Sequence, residues 1–224
     1  MDNILIDLNK RFDHAALKPE TTRRDISILC ADASEHQLYA VAVNPVWVAA
    51  AKSELSGSDV KIVSVAGFPL GANRSDVKVT EAIKAVSDGA HEIDMVAAIG
   101  RLVDNQFVEV EREVDEMRKN LPYNILLKVI IEAGLLTEQQ QADAVKACIN
   151  GGAQFVKTST GFFGGATPQQ VRNLVATANE QIEVKASGGI RTLADCREML
   201  VAGAVRLGSS ASVTIMRELK RSGQ

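Results

Sequence analysis

No charge of either sign dominates this 224-residue chain: 25 Lys and Arg stand against 28 Asp and Glu, a formal net charge of −3 and a pI near 5.7. Without a basic stripe, a general nucleic-acid or membrane-surface binder is excluded. Cysteine is sparse as well. Cys30, Cys148 and Cys196 are an odd set in helix-like stretches without metal-ligand spacing. They are expected to be buried, reduced thiols of a cytosolic protein, not a disulfide framework. His14, His36 and His91 likewise lack ligand spacing, so no metal is expected. The most apolar stretch, Tyr39 to Ala51, is broken by Asn44-Pro45, and no charged-then-apolar leader opens the chain, so no membrane segment or secretion signal is expected. No Pro/Ser-rich linker divides the sequence, which predicts a single domain over residues 1–224.

What is present is a repeating alternation. After a helical-looking leader come eight short apolar runs: Phe12–Leu17, Tyr39–Val43, Lys61–Ala66, Glu92–Val96, Ile125–Ile131, Phe155–Thr158, Glu183–Ala186 and Val205–Gly208. Amphipathic helical patterns separate them, such as Arg23–Ser34, Ser75–Asp88 closed by Gly89, Glu138–Asn150 and Pro168–Asn179, with a final helix starting at Ser209. A spacing of ~25–35 residues per unit suits βαβ crossovers, and apolar runs without alternation suit strands buried on both faces. No Gly-x-Gly-x-x-Gly follows the first run, and eight units suit closure. The predicted fold is therefore a (β/α)8 TIM barrel and not an open doubly wound sheet.

In such a barrel the C-terminal ends of the strands face the active site. The polar residues there are Asp13, Lys18, Asn44, Asp94, Lys128, Glu132, Lys157 and Lys185. Lys157 and Lys185 are 28 residues apart, one βα unit, which puts them on neighbouring strands. Desolvation and mutual repulsion would depress the pKa of such amines, and an uncharged amine is what carbonyl attack requires. Asp94, inside Ile93-Asp94-Met95-Val96, is placed to relay a proton or hold a water. A single strand lysine is more often a structural ion-pair partner, as Lys128 with Glu132 or Asp94 could be. Three lysines on consecutive strands, with an aspartate before them, reverse that preference. Ala186-Ser187-Gly188-Gly189-Ile190-Arg191 and Gly208-Ser209-Ser210 follow strands seven and eight, where barrels commonly hold phosphate on glycine-rich loops. The run Glu109-Glu111-Arg112-Glu113-Asp115-Glu116 reads as the solvated face of a helix.

These segments, together with Leu17-Lys18-Pro19, Gly67-Phe68-Pro69-Leu70-Gly71-Ala72, Leu127-Lys128-Val129-Ile130-Ile131-Glu132 and Val156-Lys157-Thr158-Ser159-Thr160-Gly161, resemble the deoxyribose-phosphate aldolase family of class I aldolases from about Phe12 to Val213. The resemblance implies reversible cleavage of 2-deoxy-D-ribose 5-phosphate into acetaldehyde and D-glyceraldehyde 3-phosphate, in deoxynucleoside catabolism in the cytoplasm. It implies Lys157 as the Schiff-base nucleophile, Lys185 as the residue that lowers its pKa, and Asp94 with Lys185 as proton shuttle. Gly188, Gly189, Gly208 and Ser209 would hold the phosphate, and Lys128 is grouped with the substrate-binding residues. No metal or organic cofactor is implied, and the family commonly forms homodimers or higher oligomers. The chain departs from the family pattern at Ala15, Ala42, Ala98 and Phe162-Phe163. A Schiff-base barrel with a larger keto donor and a non-catalytic phosphosugar-binding barrel remain as alternatives.

Overall fold

β-Branched and small apolar residues make up the strands because each is covered on both sides, by the barrel interior and by a helix. The computed structural model describes residues 3–223. Its strands are β1 (Phe12–Ala16), β2 (Ala40–Val43), β3 (Lys61–Ala66), β4 (Glu92–Val96), β5 (Leu126–Ile130), β6 (Phe155–Lys157), β7 (Glu183–Ser187) and β8 (Arg206–Ser209). All neighbours are parallel, and β8 returns to β1, closing the sheet in sequence order. The predicted (β/α)8 barrel is the observed one.

The outer layer consists of α1 (Arg23–Glu35), α2 (Val48–Glu54), α3 (Ser75–Asp88), α4 (Ile99–Val103), α5 (Phe107–Asn120), α6 (Glu138–Asn150), α7 (Pro168–Ala178), α8 (Leu193–Val201) and α9 (Ser212–Arg221). Four of these starts are written in the sequence as Thr-x-x-Asp or Thr-x-x-Gln. Thr22/Asp25, Thr137/Gln140, Thr167/Gln170 and Thr192/Asp195 each form a reciprocal capping box at the head of α1, α6, α7 and α8. Gly89, at φ 119°, stops α3 as expected. The apolar faces of the helices, for example Ile26, Leu29, Cys30 and Ala33 of α1, pack onto the strands as one aliphatic layer. All three cysteines are buried and free.

The helical leader is present as two 3-10 helices, Asn3–Leu5 and Leu8–Arg11, separated where Asp7 turns left-handed at φ 54°. Two expectations need correction. The short α4 after β4 has no counterpart among the expected helices. The last helix begins at Ser212 and not Ser209, because Gly208 and Ser209 stay in β8, in register with Asp13 and His14 of β1.

Candidate active site

Strand pleat and barrel stagger decide which charged side chains meet. Alternate residues point inward, so Asp13 of β1 faces the barrel axis, whereas His14 lines an outer groove beside α1 and α9. Register then sets height. Lys157 pairs with Lys185 across β6 and β7, while Lys128 pairs with Phe155, two residues lower on β6. A barrel of this kind usually fills its interior with branched aliphatic residues. Here Asp13, Glu92, Asp94, Lys128, Lys157, Lys185 and Arg206 are all buried within it.

Their contacts form two levels. Below, Lys128 Nζ lies 2.5 Å from Glu92 and 2.8 Å from Asp94, and Arg206 donates to Asp13 at 2.9 Å and lies 3.6 Å from Glu92. Tyr39 closes this floor: its ring stacks 3.5 Å from the Arg206 guanidinium carbon and its hydroxyl donates to Glu92 at 3.0 Å. Above, Asp94 Oδ2 accepts from Lys157 at 2.8 Å and from Lys185 at 2.7 Å, and Lys185 also donates to Asp13. Asp94 thus accepts from three ammonium groups, Lys128, Lys157 and Lys185.

The charge count picks out one of them. Four cations (Lys128, Lys157, Lys185, Arg206) meet three carboxylates (Asp13, Glu92, Asp94), and 4 − 3 = 1 positive charge is left over in a water-poor interior. Lys128, Lys185 and Arg206 each contact at least two carboxylates, whereas Lys157 contacts Asp94 alone. Shedding one proton balances the cluster, and Lys157 holds its proton least well. Burial is the main cause of its lowered pKa, opposed by Asp94 and helped by the charge on Lys185, and the result is about 8. Asp94 goes the other way. Burial favours its neutral form, but Lys128, Lys157 and Lys185 together hold its carboxyl well below the usual range. Asp13, also opposed by burial, is held at about 2 by Lys185, Lys128 and Arg206. For Lys128, the pull of Asp94, Glu92 and Asp13 overcomes burial and raises its pKa, so it stays charged.

Above this level opens a cavity of about 600 Å³ that reaches down to Asp13, Lys157 and Lys185. Its rim includes Gly188 and Gly189 after β7 and Gly208, Ser209 and Ser210 at the end of β8. Gly188, at φ 83°, packs so closely that a Cβ would stand 3.0 Å from Gly164 O and Gly165 Cα and 3.1 Å from Gly161 Cα. Only glycine allows that backbone approach. The loops after β6 and β7 are stapled reciprocally. Ser159 Oγ donates to Ser187 O, and Ser187 Oγ to Ser159 O, both at 2.5 Å. Glu132 sits left-handed at φ 50° and accepts from the Thr160 amide at 3.0 Å and from its hydroxyl at 2.6 Å. Phe162 meets Phe68 edge-to-face, ring centroids 5.4 Å apart, forming an apolar lip.

The geometry gathers Lys157, Lys185 and Asp94 at one point and puts Gly188, Gly189, Gly208 and Ser209 around the same cavity. Lys128 touches the group through Asp94; it is fully buried, and register with Phe155 sets it lower on the barrel wall than Lys157, where it also meets Glu92. Of its two expected partners, Asp94 is the one it meets. The Ser209 hydroxyl ties two loops together, donating to Ile190 O at 2.7 Å and accepting from the Ala211 amide at 2.9 Å. Lys18 is solvated beside Glu20, and Asn44 donates to Leu17 O. Glu113 contradicts the solvated-face reading: it is 3% exposed and pairs with fully buried Lys78. Arg206 and Glu92 were absent from the sequence-derived site. Their signal was the one that exposed the lysines, a charge inside an apolar strand. Among the described residues, no three His, Cys, Asp or Glu converge as metal ligands, and no helix is long and apolar enough to cross a membrane.

Comparison with known proteins agrees with this architecture. Residues 8–214 match the family model described as DeoC/LacD family aldolase. A protein of Natranaerobius thermophilus named deoxyribose-phosphate aldolase is 46% identical over 212 residues, covering 94% of this chain and 96% of that one. A solved structure titled "QR15, an Aldolase" superposes with a TM-score of 0.93 at 41% identity, covering 97% of this chain and 98% of that chain. A deoxyribose phosphate aldolase from Aeropyrum pernix, described as having a unique tetrameric structure, superposes with a TM-score of 0.89 at 34% identity, covering 96% and 91%. This chain belongs to the DeoC/LacD aldolase family.

Proposed function

We propose that the chain is a 2-deoxy-D-ribose 5-phosphate aldolase, a lyase working through a Schiff base on Lys157. The observation that carries the reading is the uneven compensation of the buried charge cluster, which leaves one amine able to be neutral near pH 8 beside a second lysine and an aspartate. The neutral Lys157 amine attacks the aldehyde carbon of the open-chain sugar, and loss of water gives the iminium ion. Removal of the C3 hydroxyl proton lets the C2–C3 bonding electrons flow into the iminium. D-Glyceraldehyde 3-phosphate departs, and an enamine of acetaldehyde remains. Protonation at C2 and hydrolysis then release acetaldehyde and restore the amine. Asp94, which accepts hydrogen bonds from both the nucleophile and Lys185, carries these protons together with Lys185. The glycine-lined rim holds the phosphate, and no metal or organic cofactor takes part.

Incubation with 2-deoxyribose 5-phosphate in the presence of a chelator should yield acetaldehyde and glyceraldehyde 3-phosphate in equal amounts. Binding without cleavage would favour a sensor or scaffold, and faster reaction with pyruvate or dihydroxyacetone as donor would favour a keto-donor aldolase. We further place the protein in the cytoplasm as one barrel domain and as a homo-oligomer, which light scattering of the purified chain checks.

Two further outcomes follow. With a pKa of about 8, about one Lys157 amine in ten is free at pH 7. Imine formation should therefore rise about tenfold per pH unit below pH 7 and level off above about 8; a flat profile would contradict the charge count. Gly188→Ala puts a methyl group 3.0 Å from the loop backbone at Gly164 and Gly165, on a residue held at φ 83°. It should raise KM for deoxyribose 5-phosphate by about tenfold, equivalent to about 1.4 kcal/mol. Cleavage of unphosphorylated 2-deoxyribose should change by less than about threefold, because only the anion contact is lost.

A further inference from the structure

We infer that Lys78 and Glu113, outside the barrel, are positioning residues that hold the exit of β4 and through it the carboxylate of Asp94; this rests on Asp94 acting in the aldol reaction. Lys78 comes from α3 and is 0% exposed, and Glu113 comes from α5. The Lys78 ammonium donates to Val96 O at 2.8 Å and to Glu113 Oε1 at 2.7 Å. The other carboxylate oxygen of Glu113 accepts from the Ala98 amide at 2.9 Å. The chain Val96 O–Lys78–Glu113–Ala98 N–H therefore closes a ring around Ala97. One buried ion pair uses its remaining hydrogen-bonding capacity on two backbone groups of the same turn.

That turn begins two residues after Asp94, the last inward-facing charge of β4. The neighbouring loop is fastened the same way. Glu81 of α3 accepts from the Gly67 amide at 2.7 Å, and the Lys78 stem fills the space a Cβ of Gly67 would need, its Cε at 2.9 Å. Gly71 in turn packs on Ala97 and Val96. Asp94 has to reach Lys128, Lys157 and Lys185 at 2.7 to 2.8 Å at once, so a small tilt of the β4 exit breaks at least one of those contacts. A buried pair is a poor way to gain stability, since an apolar pair of similar volume commonly does as well or better. Its value here is directional: it fixes two peptide groups that a hydrophobic pair would leave free to rotate. A 1 Å displacement of a reacting group can cost up to about 10²-fold in rate.

The test is the double variant Lys78→Met/Glu113→Leu, with Lys78→Arg as the conservative control. The double variant should fold with an unchanged or higher melting temperature. Its kcat for deoxyribose 5-phosphate cleavage should fall about tenfold or more, with KM within about threefold, and Lys78→Arg should recover most of the rate. Asp94 raises the Lys157 pKa, so a displaced Asp94 should also move the acid limb of the rate profile to lower pH. Mere destabilisation would lower the amplitude and leave that limb in place. Wild-type kcat and an unmoved limb in the folded double variant would overturn the inference. Should the double variant fail to fold, Glu113→Gln decides by the same two readouts, since it keeps an oxygen for Ala98 and loses the ion pair. Failure of the wild type to form an imine with acetaldehyde would refute the aldolase reading itself, a distinguishable result.

Discussion

Lys157→Leu is expected to lower deoxyribose 5-phosphate cleavage by at least about 10⁴-fold while leaving the protein folded. The loss is large because the variant has no nucleophile, and nothing left in the barrel replaces it. Lys185 is the obvious substitute, lying level with Lys157 on the next strand. It is, however, tied by hydrogen bonds to both Asp13 and Asp94, which hold its nitrogen away from the place the Lys157 amine would occupy at the carbonyl. Folding should survive, since leucine removes the one surplus positive charge of the cluster and Asp94 keeps Lys128 and Lys185 as partners. A cleavage assay and a thermal melt, run side by side with wild type, check both halves. Residual activity above about 1% in the folded variant would show that another group attacks the carbonyl.

Asp94→Asn should produce a different kind of loss. Turnover is expected to fall by about 10²- to 10⁴-fold, the range for removal of a positioned acid–base group. The nucleophile should nevertheless become easier to deprotonate. Asp94 raises the Lys157 pKa, and an amide in its place leaves Lys157 with burial and the like charges of Lys185 and Lys128, all of which lower it. Imine formation with acetaldehyde would therefore persist at pH 7 while carbon–carbon cleavage stalls, so the two steps separate. The substitution also leaves four cations against two carboxylates, Asp13 and Glu92. Breaking one side of a buried ion network commonly costs about 3–5 kcal/mol. Part of that cost is relieved here because Lys157 can shed its proton. Parallel loss of imine formation and cleavage in a folded Asp94→Asn protein would contradict a proton-relay role.

Much of this site can be read from the sequence, for reasons that particular residues make plain. Lys157 and Lys185 stand out because each interrupts an apolar run, and their separation of one βα unit puts them side by side. The four Thr-x-x-Asp/Gln helix starts are local signals and need no tertiary context. Lys128 looks identical to Lys157 in one dimension, yet it lies a level lower, because barrel stagger and not strand sequence sets height. Glu113 hides within an acidic run. Only its sharing of the Val110, Val114 and Met117 face marks it as buried, and its partner Lys78 lies 35 residues away on another helix. Ser209 reads as the start of a helix because a serine after glycine suits a cap, but pairing with β1 keeps it in the strand.

The central claim is that Lys157 is the amine that forms the Schiff base, and reductive trapping tests it most directly. Wild-type protein incubated with acetaldehyde and borohydride, then digested and analysed by mass spectrometry, should carry a single ethyl group on the peptide containing Lys157, more of it at pH 8 than at pH 6. An ethyl group on Lys185 or Lys128 instead, or an unmodified Lys157 in protein that still cleaves its substrate, would contradict the account.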